Sequence, residues 1–337
     1  MELTKKDTKM MQGLSVLAML CLHLFNRDYV GLFQPTFFLF GIPLSFYFSQ
    51  LSDFCVMGFA FCSGYAHMKL YDEPDYYKRR VKSLRSLLCN YYIILIVFSI
   101  ISVMVGNGAQ MPGNVRTFIL NALMLENSYN GAWWYMFIYV ILVLLSPIVL
   151  KSVKRIHPVI ILGFGFVIYC CAYYTRFYIT TDNWILLKFG PFGMTLFEYL
   201  IGAVCFKTGI FSWLYKYWKK MKGIVQSICG ITILVGMLII RTLLIPSLFV
   251  APLTGLILLV LFHFWKKPKC VEKFFELIGK HSTNIWLTHM FFYLYLFKNF
   301  VYVVKFPILI YMLMLGITLL ISCGLQKIEK SLVRRIT

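Results

Sequence analysis

The chain has 337 residues, 60% of them hydrophobic and only 14% charged, with a mean hydropathy of +0.76. A water-soluble domain of this length could not hide so much apolar surface inside itself, so the composition excludes one and points to a bilayer. The net charge of +20, from 33 Lys and Arg against 13 Asp and Glu, falls in short clusters between apolar runs. There it orients helices and meets anionic headgroups, a placement that argues against nucleic-acid binding.

Apolar runs recur near residues 11–27, 49–68, 88–105, 132–150, 158–176, 189–207, 223–242, 247–265, 281–300 and 305–325. Each is long enough to cross roughly 30 Å of hydrocarbon at about 1.5 Å per residue. None shows the alternation of a strand, so the expected fold is all-α: a bundle of about ten transmembrane helices forming a single domain over residues 1–337. Three lysines precede the first run as in a signal peptide, yet no small-residue cleavage site follows Phe25, and the first span is expected to be retained. With the N-terminus inside, all Lys and Arg but Arg27, Arg116, Arg176, Lys188, Arg241, Lys298 and Lys305 fall on the cytoplasmic side. That asymmetry predicts both termini in the cytoplasm and the two largest connections, 28–48 and 106–131, outside. The ten cysteines are scattered, many inside apolar runs (Cys21, Cys55, Cys62, Cys170, Cys171), without CxxC pairs or ligand spacing. They read as small core hydrophobes, and no metal is expected.

An ionisable group inside a bilayer is costly unless paired or hydrated, so each is a functional candidate. His23 comes first, some 18 Å into span one if that helix enters near Met11, with an imidazole able to move a proton near neutral pH. Asp53, a few residues into the antiparallel second span, is brought to a similar depth. It reads either as the group that orients the His23 imidazole or, with Ser52, as the cap of its helix. The segment YYKRRVKSLRSLLCNYY sets Lys78, Arg79, Arg80, Lys82 and Arg85 where span three leaves the cytoplasm. It reads either as a grip for phosphates or as plain positive-inside topology, and lacks the glycines of a nucleotide-binding loop. Glu198 and His289 are expected in the inner halves of spans six and nine, where they line a donor tunnel or pair with polar side chains of the bundle. Trp133 and Trp134 open span four on the outside, as an aromatic belt or as faces for a sugar.

Taken together, GLSVLAMLCLHLF (residues 13–25), FAFCSGY (59–65) with the basic segment after it, NGAWWYM (130–136) and GKHSTNIWLTHMFF (279–292) resemble the acyltransferase-3 family of integral membrane acyltransferases. The resemblance covers nearly the whole chain. It implies a ten-helix bundle that takes an acyl group, expected to be acetyl, from cytoplasmic acetyl-coenzyme A and delivers it to an acceptor outside. In that likeness His23 matches the catalytic histidine, and Arg79, Arg80 and Arg85 match the arginine motif to which donor binding is attributed. The stretch around Ser282 and His289 is similar to the subgroup that acts on capsular or exopolysaccharides, which implies O-acetylation of a surface glycan. The sequence departs from the family at Gln12, where a basic residue is usual, with Lys9 one turn earlier as a substitute. A saccharide transporter or flippase is the alternative; it accounts for buried polar groups and outer aromatics but poorly for the arginine cluster. The expected location is a bacterial plasma (inner) membrane, with acyl-coenzyme A, the glycan and membrane lipid as partners.

Overall fold

The computed structural model describes residues 2–27, 30–241 and 247–336, except the side chains of residues 330 and 332–336. Residue 242, which closes the seventh expected span, lies outside the described residues. Helices dominate: α1 (Lys5–Phe25), α2 (Leu44–Leu51), α3 (Cys55–Leu70), α4 (Tyr76–Met104), α5 (Val115–Ala122), α6 (Trp134–Arg155), α7 (Pro158–Tyr178) and α8 (Trp184–Thr208). They continue as α9 (Ile210–Lys220), α10 (Gly223–Ile239), α11 (Ala251–Phe264), α12 (Lys269–Met290), α13 (Lys298–Tyr302) and α14 (Pro307–Ile336). Among the described residues, sheet is confined to two two-residue strands, Phe38–Leu39 and Ile42–Pro43, paired antiparallel. Six stretches, in α1, α4, α6, α7, α8 and α14, are long and apolar enough to cross a membrane, and α10 and α11 are shorter apolar helices. The protein is an all-α membrane protein.

Several elements depart from the sequence expectation. The connections expected outside carry α2 and α5, and α9 occupies the basic link after α8. Helix α9 is amphipathic: Phe211 is buried while Trp213 and Tyr217 are exposed beside Lys216, Lys219 and Lys220. A hydropathy window averages such a helix away. Gly209, at φ 63°, ends α8 in the left-handed conformation and starts α9. Helix α12 begins at Lys269 rather than near 281, and a π-helical turn, Phe291–Tyr295, follows it.

The chain packs as two compact units. The first comprises Met1–Leu22, Phe46–Tyr76 and Leu145–Lys280. Its helices meet through small residues, the membrane substitute for hydrophobic driving force. A Cβ on Gly64 of α3 would overlap the carbonyl of Tyr199 on α8, and one on Gly202 would overlap that of Phe61. On the same pair of helices, His67 Nδ1 lies 3.0 Å from the Tyr199 hydroxyl. Gly190 and Gly193 admit Ala172 and Arg176 of α7 in the same way, and Gly13 and Gly279 bring the backbones of α1 and α12 into contact.

The second unit comprises His23–Ser45, Tyr77–Leu144 and His281–Thr337. Its interior is aromatic and unusually polar. Phe98 stacks on Phe291 at 4.2 Å and Trp133 meets Tyr91 edge-on at 4.8 Å, while Asn90, Asn130, Asn284, Thr288, Thr318 and Ser322 are all buried.

Replacing Gly202 by Leu forces a side chain into backbone with no room to yield. The expected loss is about 1–3 kcal/mol of stability or more, read as a lowered Tm in detergent. Gly163→Ala, where an added Cβ meets nothing within 4 Å, should leave Tm unchanged.

Candidate active site

The second unit assembles its polar centre from the last turn of α1, the end of α12 and the π-turn beyond it. His23 is half-buried there, its ring 5.0 Å from that of His289 and 6.0 Å from that of Tyr293. His289 is fully buried and stacks on Tyr293 at 5.8 Å. Arg27 closes the far side: its Nη2 donates to the His23 carbonyl at 2.7 Å and its guanidinium lies 4.8 Å from the Tyr293 ring centre. His289 Nδ1 is 2.7 Å from the carbonyl of Trp286, which only accepts, so Nδ1 carries a proton. In the neutral imidazole Nε2 is then left as a lone pair, and it has no hydrogen-bond partner among the described residues. This is a base with its tautomer fixed.

The end of α12 is held by the segment NGAWW. Asn130 Nδ2 and Trp133 Nε1 both donate to the carbonyl of Leu287, at 3.0 and 2.9 Å, and Trp286 Nε1 donates to that of Ala132 at 3.0 Å. Trp133 is 1% exposed and covered by Tyr91 and Phe291, so it is a core residue and not a face for a sugar, a correction to the sequence reading. Trp134 is half-buried and packs edge-on against Tyr135. Below the histidines on α12, Asn284 accepts from Asn90 Nδ2 at 2.5 Å, and His281 Nδ1 lies 2.8 Å from Ser322 Oγ. Arg79, Lys82 and Arg85 are exposed on the first turns of α4 and Arg80 is half-buried.

Asp53 belongs to the first unit, where its Oδ2 accepts from Arg241 Nε at 2.8 Å and from Nη2 of the same guanidinium. Both side chains are 2% exposed. The expected caps are absent too: Asp53 makes no cap bond, and the Ser52 hydroxyl donates to the Phe48 carbonyl. Asp53 is thus the partner of an arginine, because a buried guanidinium demands a counter-charge. Glu198 also lies in the first unit, buried on α8, with Oε2 lacking a hydrogen-bond partner among the described residues. Among the described residues no cluster of three His, Cys, Asp or Glu could hold a metal ion.

His289 was expected in the inner half of a span starting near 281. Because α12 starts at Lys269, His289 sits at its far end, beside His23. The sequence reading did not anticipate Arg27, Asn90, Asn284 or Arg241. A signal existed for Asn284, since His281, Ser282, Asn284, Thr288 and His289 recur at helical spacing inside an apolar stretch. Arg241, an ionisable residue within the expected span 223–242, was itself conspicuous, but nothing pointed to its partner 188 residues away.

A family model described as an acyltransferase domain, acyltransferase-3, matches residues 9–327, essentially the whole chain. Neither a curated protein nor a solved structure matches the chain.

Breaking a buried ion pair from one side strands the other charge. Arg241→Met and Asp53→Asn should each cost about 3–5 kcal/mol, and the double variant should recover much of that loss. Thermal unfolding of the three variants in one detergent measures it; strictly additive losses would rule out the coupling.

Proposed function

The chain belongs to the acyltransferase-3 family, and from that membership we propose that it carries an acyl group, expected to be acetyl, from cytoplasmic acyl-coenzyme A to a hydroxyl of an extracytoplasmic or lipid-linked glycan. The coarser part of this reading, a multi-pass membrane acyltransferase, follows from the family and the apolar helices. The observation that carries the rest is the pairing of His23 with a tautomer-fixed His289 in the buried polar centre of the second unit. General-base chemistry needs an imidazole with an available lone pair, and this centre supplies two imidazoles in ring contact.

In the proposed step His23 takes the proton of the acceptor hydroxyl as its oxygen attacks the thioester carbonyl. The new ester C–O bond forms, the C–S bond breaks, and the proton passes to the departing sulfur. His289 stabilises the imidazolium of His23 through its Nε2 lone pair, the role that the sequence reading gave to Asp53. Tyr293 and Arg27 fix the His23 ring and the backbone beneath it. Arg79, Arg80, Lys82 and Arg85 hold the donor's phosphates, for which arginine forks are suited. Trp134 and the outer connections meet the acceptor. The location that fits is a bacterial inner membrane with both termini in the cytoplasm, in keeping with the lopsided distribution of basic residues.

The direct test is to extract surface polysaccharide from cells carrying wild type, His23→Ala, His289→Gln or no copy, at matched expression, and to measure alkali-labile acetyl esters by proton NMR. Wild type should add esters and His23→Ala none. In a kinetic assay His289→Gln should lower kcat by about 10²–10⁴, the usual contribution of a positioned acid–base group. A change in polymer amount with no change in esters would replace this reading with transport or assembly.

A further inference from the structure

Helix α4 carries a polar stripe that begins in the arginine segment. Arg79, Ser83, Ser86 and Asn90 are spaced by four, three and four residues and so share one face, rising about 16 Å over eleven residues. Ser86 Oγ donates to Glu329 Oε1 at 2.9 Å. At the top of the stripe Asn90 is 5% exposed: its Nδ2 donates to Asn284 Oδ1 at 2.5 Å, and Asn284 Nδ2 reaches the Ser322 carbonyl at 3.4 Å. The remaining polar atom of Asn90, Oδ1, is buried without a hydrogen-bond partner among the described residues. A buried carboxamide oxygen left unpaired in an apolar bundle costs about 1–3 kcal/mol, a cost removed by a ligand N–H or a water that donates to it. On α12, Asn284 stands five residues before His289, about 7.5 Å along the axis.

We infer that the Asn90–Asn284 pair is the receptor for a secondary amide of the acyl donor. This rests on the reading of the protein as a coenzyme A-dependent acyltransferase and adds the contact that selects the donor's arm. The pantetheine arm bears secondary amides, and the last of them is separated from the acyl carbon only by a two-carbon link and the sulfur. An amide N–H donating to Asn90 Oδ1 therefore leaves the thioester carbonyl one to two helical turns further on, toward His23 and His289. Asn284 Nδ2 donates to the Ser322 carbonyl and so turns its Oδ1 to Asn90 Nδ2, which fixes the Asn90 carboxamide with Oδ1 as the free acceptor. Asn90 is on this view a donor-binding residue, distinct from Arg79 at the start of the same face.

The test uses inside-out membrane vesicles containing the full chain and its native acceptor. They are supplied in turn with radiolabelled acetyl-coenzyme A, S-acetylpantetheine, and the S-acetyl ester of an amide-free ethylene glycol thiol of matched length. Alkali-labile acetyl on the polysaccharide is the readout. Wild type should prefer S-acetylpantetheine over the glycol thioester by about tenfold in kcat/KM, the value of one buried neutral hydrogen bond. Asn90→Ala should bring that ratio to about one and raise KM for acetyl-coenzyme A about tenfold, with kcat changed less than about threefold. The ratio does not depend on how much of the variant folds, and the wild-type preference needs no variant at all. An unchanged ratio in Asn90→Ala, or a wild type indifferent to the amides, overturns the inference and leaves a water at Asn90, while turnover of acetyl-coenzyme A by wild type keeps the acyltransferase reading. Absence of all donor-dependent esters with wild type overturns both.

Discussion

Inside hydrocarbon no water repairs an unpaired donor or acceptor, and the organisation of this protein follows from that constraint. The carbonyl of Leu287 collects Asn130 and Trp133, the indole of Trp286 finds Ala132, and Asp53 answers Arg241 across 188 residues. Against that pairing the buried atoms left without a partner among the described residues are informative. In the second unit they include His289 Nε2 and Asn90 Oδ1, the first in contact with His23 and the second beside Asn284 on the same helix as His289. Atoms left unpaired in this setting are where chemistry or a ligand is to be sought.

The long apolar runs were legible because length and hydropathy alone carry them: α1, α6, α7, α8 and α14 fall on expected spans. What was not legible has a common physical cause. Helix α9 turns Phe211 inward and sets lysines among its outward aromatic residues, so averaging along the sequence hides it while its amphipathic shape persists. Helix α12 starts in the charged run from Lys269, which reads as a loop until the tertiary structure gives its lysines and glutamates a surface to face. The extra half of that helix moved His289 from the inner half of an expected span to the far end of α12.

The same causes govern the site. His23 could be found in the sequence because a lone imidazole near the end of an apolar run is expensive and therefore conspicuous. His289 was a candidate too, but its pairing with His23 could not be read, since ring contacts between residues far apart in sequence depend on packing that no periodicity encodes; depth alone brought Asp53 forward. Trp133 shows the converse error. An aromatic residue at a span's outer end suggests an exposed belt, yet its indole N–H points inward to the end of α12. The acyltransferase family, matched over residues 9–327, was legible from short fragments whose order is as informative as their letters.

The Asp53–Arg241 pair also bears on how the chain is made. Its two charges emerge from the ribosome 188 residues apart, an interval on the order of ten to forty seconds at ordinary synthesis rates. Each alone is a charge within an apolar segment, costly to place in lipid until it is paired. Until Arg241 is synthesised, the segment bearing Asp53 lacks the counter-charge with which the first unit buries it. A chain ending before Arg241 would retain the acid without its base, so burial of Asp53 as an ion waits on the later-made half of the pair.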